Sequence, residues 1–126
     1  MKAILLDTNI LIWLLDDSPR INSVKHLFSQ PGTKVHISAV SWWELAIKER
    51  LGKLPFRVSQ IEMLVSEYDF HDLPLTRNCL KAYMELPQLH KDPFDHMLLA
   101  QAITCPMRLI TGDAILAEYS SLVMLI

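Results

Sequence analysis

The sequence contains few glycines, few cysteines and no excess of basic residues. Of its 126 residues, 3 are glycine and 2 are cysteine, Cys79 and Cys105. Two cysteines without a paired spacing exclude a disulfide framework and give no thiolate metal motif, so we expect reduced thiols in a cytoplasmic protein. With 51% hydrophobic residues, the chain has the composition of a compact globular protein rather than of a linker.

Long apolar runs are also missing. No stretch approaches the ~20 residues that cross a bilayer, so no membrane association is expected. Asp7 and Asn9 interrupt the apolar N-terminal segment and no small-residue cleavage site follows, which argues against a secretory signal.

The length predicts one domain spanning residues 1–126. A net charge of −2 and a pI near 6.2 exclude a broadly basic surface, so any nucleic-acid contact must come from a local patch.

The first stretch, ILLDTNILIWLL, predicts a strand, a polar turn and a helix. Residues 3–6 are continuously apolar, as in a strand buried on both faces of a parallel sheet. Apolar residues at near-helical spacing follow from Ile10, with Thr8 or Asn9 available as the helix cap. Asp7 would then stand beyond the carboxyl end of a strand, where open α/β sheets bind ligands.

The rest of the chain continues this alternation. Strands are expected at 35–37, 70–73, 108–110 and 122–126, and helices near 24–28, 42–51, 58–68, 76–86, 92–104 and after 113. The pattern predicts an α/β fold, a mainly parallel sheet covered by helices on both sides.

Four acids have a pattern that fits a functional site. Asp113 follows the strand LIT as Asp7 follows ILL, and two acids in equivalent positions exceed what helix capping requires. In DPFDHMLLAQAIT, Asp92 is a natural N-cap and Pro93 fits the first helical position, which leaves Asp95 free to point into the crevice. Glu44 is ambiguous, because Ser41 and Glu44 also match a capping box.

Acids that converge on one edge repel one another unless a cation lies between them. Carboxylate oxygens favour Mg²⁺, with Mn²⁺ as the alternative. Zinc is not expected, because the five histidines form no cluster of ligand spacing.

Four motifs in this order and spacing resemble PIN-domain proteins, specifically the VapC-type toxins of bacterial toxin–antitoxin modules. The motifs are LLDTNILIWLL, ISAVSWWELAIKERLGKL, HKDPFDHMLLAQA and LITGDAIL, and the likeness spans nearly the whole chain. The resemblance implies an α/β/α sandwich with a PIN-like sheet. It also implies a Mg²⁺-dependent endoribonuclease, a homodimer and a cognate antitoxin protein that inserts a segment near the active site.

The resemblance also assigns roles to residues. The acidic quartet falls on Asp7, Glu44, Asp95 and Asp113, which would hold the metal, with Glu44 either a ligand or the general base for the attacking water. Supporting positions fall on Thr8, Asn9 and Thr111. Where many relatives carry arginine after the third acid, this chain has His96, which would make a phosphate contact there pH-dependent.

A local basic patch is the candidate RNA contact. Lys48, Arg50 and Lys53 cluster after Glu44, and Lys91 with His96 flanks the third acid. A solvated helix face explains such charges equally well. Single-stranded or loop RNA is the expected substrate, since a scissile phosphate there can reach a recessed site.

Two other functions remain open on the sequence. A phosphohydrolase with Asp7 as nucleophile also begins with an apolar strand ending in aspartate, but Asn9 replaces the second acid of its D-x-D motif. A non-catalytic module could bind a metal through the same acids and serve only protein interaction. Trapping of a phosphoaspartate would identify the first, and partner binding without RNA turnover the second.

Overall fold

A computed structural model describes residues 2–88 and 92–126. Its central sheet has five parallel strands: β1 (Lys2–Leu6), β2 (Thr33–Ser38), β3 (His71–Leu73), β4 (Arg108–Thr111) and β5 (Val123–Leu125). The helices are α1 (Thr8–Leu15), α2 (Ala39–Arg50), α3 (Val58–Tyr68), α4 (Arg77–Glu85), α5 (Pro93–Thr104) and α6 (Ala114–Ala117). The predicted alternation of strands and helices is confirmed. Most of the element boundaries lie within one or two residues of the predicted ones.

The sheet has the strand order β3-β2-β1-β4-β5, so β1 lies at its centre. Successive side chains of a strand point to opposite faces, and β1 buries both sets. Ile4 and Leu6 join a core with α1, α2 and α3, whereas Leu5 joins a second core with α5 and β4. The sheet therefore lies between two helical layers, which confirms the three-layer α/β/α sandwich.

Two local predictions were wrong. The amphipathic helix expected around residues 24–28 is not an α-helix; two short 3₁₀ segments, Pro19–Ile21 and Lys25–Ser29, occupy this region. Val24 and Phe28 are still buried in the first core, so their apolar spacing reflects packing rather than an α-helix. The N-cap residue of α1 is Asp7 rather than Thr8 or Asn9.

The chain order reverses at the centre of the sheet, because β1 is flanked by β2 on one side and by β4 on the other. Such a reversal opens a crevice at the carboxyl ends of the strands. Asp7 follows β1 and Asp113 lies two residues beyond β4, so both acids stand at this crevice.

No helix among residues 2–88 and 92–126 has both the length and the apolar character needed to cross a membrane.

Candidate metal centre

Asp7 is buried at the end of β1, with 3% of its surface exposed. It occupies the N-cap position of α1, yet its side chain makes no capping hydrogen bond. Instead its Oδ2 accepts a 2.7 Å hydrogen bond from Thr111 Oγ1, at the end of the neighbouring strand β4. The capping explanation for this acid therefore fails, because its carboxylate is directed across the sheet edge.

The turn after β4 places Asp113 at the same edge. Thr111 Oγ1, besides donating to Asp7, accepts a 3.0 Å hydrogen bond from the backbone N–H of Asp113. Asp113 Oδ1 accepts from the backbone N–H of Ile115 at 3.0 Å, so this acid does cap α6. Thr111, predicted as a supporting residue, thus links the two acids.

The start of α5 brings Asp95 to the site. Asp92 caps the helix by accepting from the backbone N–H groups of Phe94 and Asp95, at 2.9 and 3.4 Å, and Pro93 takes the first helical position, both as predicted. Asp95 follows in the first turn and is 8% exposed. A carboxylate at a helix N-terminus is favoured by the helix dipole.

Glu44 projects from α2, and the capping box that the sequence left open as an alternative for it does not form. The N-cap of α2 is Ser38, whose Oγ accepts from the backbone N–H of Val40 at 3.0 Å. Ser41 lies within the helix and accepts a 3.0 Å hydrogen bond from Thr8 Oγ1, which ties α2 to α1. Glu44 is 8% exposed, and its Oε2 forms a 3.2 Å ion pair with Lys48.

The electrostatics show that these acids lie close enough to affect one another. Burial, the largest cause, and the charges of Asp7, Asp92, Glu44 and Asp113 together raise the pKa of Asp95 to about 8. Burial also raises the pKa of Asp7, as do the charges of Glu44 and Asp92, while the Thr111 hydrogen bond lowers it. All four predicted acids thus lie close enough for their charges to affect one another at this edge.

The donor set fits Mg²⁺. Oε1 of Glu44 is buried and has no hydrogen-bond partner within the described residues, although a buried carboxylate oxygen normally has one. No three His, Cys, Asp or Glu side chains of residues 2–88 and 92–126 stand close enough to form a complete metal cage. Mg²⁺ does not require one, since it keeps several water ligands and binds through one or two carboxylates.

Asp92 belongs to this cluster of acids, although its position before Pro93 predicted only a capping role. Its charge acts on both Asp7 and Asp95. The spacing of Asp92 and Asp95 could have indicated this, because residues three apart at the start of a helix lie on the same side. Asp92 therefore adds a fifth acid to the predicted four.

The remaining predicted residues lie in different environments. Thr8 is buried, whereas Asn9 is exposed on the first turn of α1. Lys48 is paired with Glu44, and Arg50 and Lys53 are exposed just beyond it. Lys91 lies outside the described residues.

His96 is not on the surface. It is 4% exposed, its Nε2 lies 2.8 Å from Tyr119 Oη, and its ring packs edge to face with those of Tyr83 and Tyr119. A phosphate contact predicted for His96 is not supported, because the side chain is enclosed by aromatic rings.

The fold and the acidic edge agree with a comparison of the sequence with protein families. The PIN domain model matches residues 4–122. The chain belongs to the PIN domain family, whose members are nucleases. No curated protein matches the sequence.

Solved structures of toxin–antitoxin complexes share this fold. VapBC2 from Rickettsia felis, bound to a DNA fragment from its promoter, matches with a TM-score of 0.71 and 16% identity over 98% of this chain and 97% of that chain. A toxin–antitoxin complex from Klebsiella pneumoniae matches with a TM-score of 0.68 and 24% identity, over 96% and 95% of the two chains. For VapBC-1 from nontypeable Haemophilus influenzae the values are 0.66, 21%, 93% and 91%. At these identities the likeness establishes the fold.

Proposed function

We propose that this protein is a metal-dependent endoribonuclease that hydrolyses RNA phosphodiester bonds. The observation that carries the proposal is the convergence of four acids, Asp7, Glu44, Asp95 and Asp113, on one edge of a PIN-domain sheet. Burial and the charges of the neighbouring acids raise the pKa of Asp95 there. A nuclease of this kind uses its acids to hold a cation that activates water. Because water is then the nucleophile, no covalent enzyme–substrate intermediate is needed.

Mg²⁺ is the proposed cofactor, with Mn²⁺ as a substitute. Asp7, Asp95 and Asp113 are the proposed ligands, directly or through water. Bound at this edge, the ion would activate a water molecule and stabilise negative charge on the phosphoryl group.

The protein's own side chains orient this site. Thr111 forms hydrogen bonds with the Asp7 carboxylate and with the Asp113 backbone, and so positions the two acids relative to each other. Lys48 positions Glu44 through an ion pair. Glu44 has one buried oxygen with no hydrogen-bond partner among residues 2–88 and 92–126, so it could accept a proton from water or complete the metal shell.

The cellular role that we propose is that of the toxin in a bacterial type II toxin–antitoxin module. The proposal follows from membership of the PIN family together with structural neighbours that are themselves VapBC or toxin–antitoxin complexes. It includes a cognate antitoxin as partner, a homodimer as the assembly and the cytoplasm as the location. Expression of the chain alone should then arrest bacterial growth, and Asp7→Asn should relieve the arrest.

The direct test is cleavage of total cellular RNA by the purified, antitoxin-free protein, with Mg²⁺ and with EDTA. Asp7→Asn removes a candidate ligand, and Asp69→Asn is the matched control. Asp69 is exposed at the end of α3 in the left-handed conformation that asparagine tolerates. We expect discrete products from the wild type and the control variant with Mg²⁺ only. Intact RNA after incubation with folded wild-type protein would refute the nuclease and favour a binding module.

A further inference from the structure

Gly112 lies in direct contact with the indole ring of Trp13. A Cβ atom added at Gly112 would stand 2.4 Å from Cη2 and 2.9 Å from Cζ3 of Trp13, closer than real Cβ atoms approach other atoms. Gly32 and Gly52 have positive φ angles, whereas Gly112 does not. The glycine at position 112 is therefore explained by the approach of Trp13 and not by its backbone conformation.

The indole ring also contacts Arg20. The guanidinium carbon of Arg20 lies 4.4 Å from the centre of the Trp13 ring, a cation–π arrangement. The backbone oxygen of Trp13 accepts a 2.9 Å hydrogen bond from Ser18, and Ser18 Oγ accepts from the backbone N–H of Arg20. The two hydrogen bonds position Arg20 near the ring, and rotation of the indole away from Gly112 would lose its cation–π contact with Arg20.

Gly112 is the central residue of the turn from Thr111 to Asp113. Hydrogen bonds of Thr111 connect this turn to two candidate metal ligands, Asp7 and Asp113. On one side Thr111 donates to Asp7, and on the other the Asp113 backbone donates to Thr111. Trp13 belongs to α1, which begins directly after Asp7. The indole thus joins the helix that follows one acid to the turn that carries the other.

We infer that Trp13 is a positioning residue for the acidic site, and that its contact with Gly112 sets the conformation of the Thr111–Asp113 turn. The part of this inference that concerns metal binding rests on the proposed function. The part that concerns the turn does not, because it follows from the contact alone.

The test is a cycle of four proteins: the wild type, Gly112→Ala, Trp13→Phe and the double variant. Phenylalanine keeps an aromatic face for Arg20 but lacks the far ring atoms that an alanine at 112 would meet. Mn²⁺ affinity, measured by electron paramagnetic resonance, reports the metal site. Hydrogen exchange of the Asp113 amide reports the turn without any metal, since this amide is bonded to Thr111 Oγ1.

We expect Gly112→Ala to weaken Mn²⁺ binding by about tenfold to hundredfold, the range seen when residues behind a metal ligand are changed. Trp13→Phe should weaken it less, because no clash is introduced. The decisive result is the double variant, which should bind Mn²⁺ more tightly and protect the Asp113 amide better than Gly112→Ala alone. A double variant as impaired as Gly112→Ala in both measurements would overturn the inference.

A control separates this effect from a general loss of stability. Gly32→Ala destabilises the chain through its left-handed backbone, at the start of β2 and on the opposite edge of the sheet. We expect it to leave Mn²⁺ affinity and Asp113 exchange unchanged. If Gly112→Ala does not fold, thermal unfolding replaces the other measurements: recovery of a folded double variant supports the contact, and its absence overturns it.

Failure of the proposed function would have a different signature. A folded wild type that neither binds Mn²⁺ nor cleaves RNA would refute the metal site, while the exchange data would still decide whether Trp13 sets the turn. Normal Mn²⁺ binding by the wild type, without recovery in the double variant, would refute the positioning role alone.

Discussion

Thr111 Oγ1 donates a 2.7 Å hydrogen bond to Oδ2 of Asp7, although the two residues are 104 positions apart in the chain. The pairing of β1 with β4, in which Leu6 lies opposite Ile110, brings the ends of these strands together. Burial raises the pKa of Asp7, and this hydrogen bond opposes that effect. The threonine thus helps to keep a buried carboxylate ionised, as metal binding requires.

Replacement of this hydroxyl should make metal binding more dependent on pH. Thr111→Val keeps the shape but removes the hydrogen bond, so the pKa of Asp7 should rise further. Protons should then compete with Mn²⁺ at a higher pH in the valine variant than in the wild type. Loss of a buried partner should also cost about 1–3 kcal/mol of unfolding free energy.

Thr111→Ser is the matched control for this change, because it keeps the hydroxyl. Its Mn²⁺ affinity, measured as a function of pH, should follow that of the wild type. A valine variant with the wild-type pH profile would show that the hydrogen bond does not tune Asp7.

The metal-free protein should lose stability as the pH rises. The pKa of Asp95 is raised from 3.8 to about 8, so the folded state binds more protons than the unfolded state between these values. The contribution of Asp95 to stability is therefore greatest at the acidic end of this range, falls as the unfolded chain releases a proton that the folded state retains, and levels off above pH 8. Thermal unfolding in EDTA across this range measures the effect.

Two comparisons test this assignment. Asp95→Asn cannot ionise, so it should flatten the pH dependence and melt at a higher temperature than the wild type at pH 8 in EDTA. Mg²⁺ should raise the wild-type melting temperature more at pH 8 than at pH 5, because protons compete with the ion at low pH. An equal response to Mg²⁺ at both values would argue against a cation site at Asp95.

Three of the four acids were predictable from the sequence because each follows a clear local pattern, whereas Glu44, inside α2, was assigned only by the family resemblance. Asp7 and Asp113 come after apolar strands, and Asp95 follows an N-cap and a proline. The carboxyl ends of parallel strands share one edge, so the strand pattern alone places such residues together.

The contacts that join distant segments around these acids could not be predicted from local sequence patterns. The hydrogen bond from Thr8 to Ser41 and the contact of Trp13 with Gly112 join segments that are far apart in sequence. Which side chain meets which depends on sheet order and helix packing, and one sequence does not specify them. For the same reason a capping box at Ser41 stayed an open alternative and His96 was predicted to contact phosphate, although tertiary packing buries both side chains.

The exposed basic residues near α2 should bind RNA without holding the metal. Reversing two charges in Arg50→Glu/Lys53→Glu should weaken binding of single-stranded RNA and reduce the salt dependence of the affinity by roughly one unit of slope per lost phosphate contact. Lys48 is left unchanged, since its ion pair with Glu44 would complicate the result. Binding is measured in EDTA, so that cleavage does not interfere.

A second double reversal controls for net charge. Lys34 and Arg108 are exposed near the amino ends of β2 and β4, away from the acidic edge. Lys34→Glu/Arg108→Glu should leave RNA affinity nearly unchanged. Equal losses in the two variants would indicate a general charge effect and remove the patch from the proposal.

His96 should contribute to stability rather than to RNA binding. Tyr119→Phe removes only the hydroxyl that lies 2.8 Å from His96 Nε2, and this should cost about 1–3 kcal/mol of unfolding free energy because the imidazole is buried. Denaturant unfolding measures that cost.

His96→Gln separates packing from phosphate recognition. Glutamine cannot carry the positive charge of an imidazolium, so a phosphate contact by His96 would appear as weaker RNA binding by this variant at pH 6 but not at pH 8. We expect lower stability at both pH values with no such pH-selective loss, because aromatic rings enclose the side chain. A loss of RNA affinity confined to pH 6 would instead mean that His96 becomes accessible when RNA binds, and would restore its place in the substrate site.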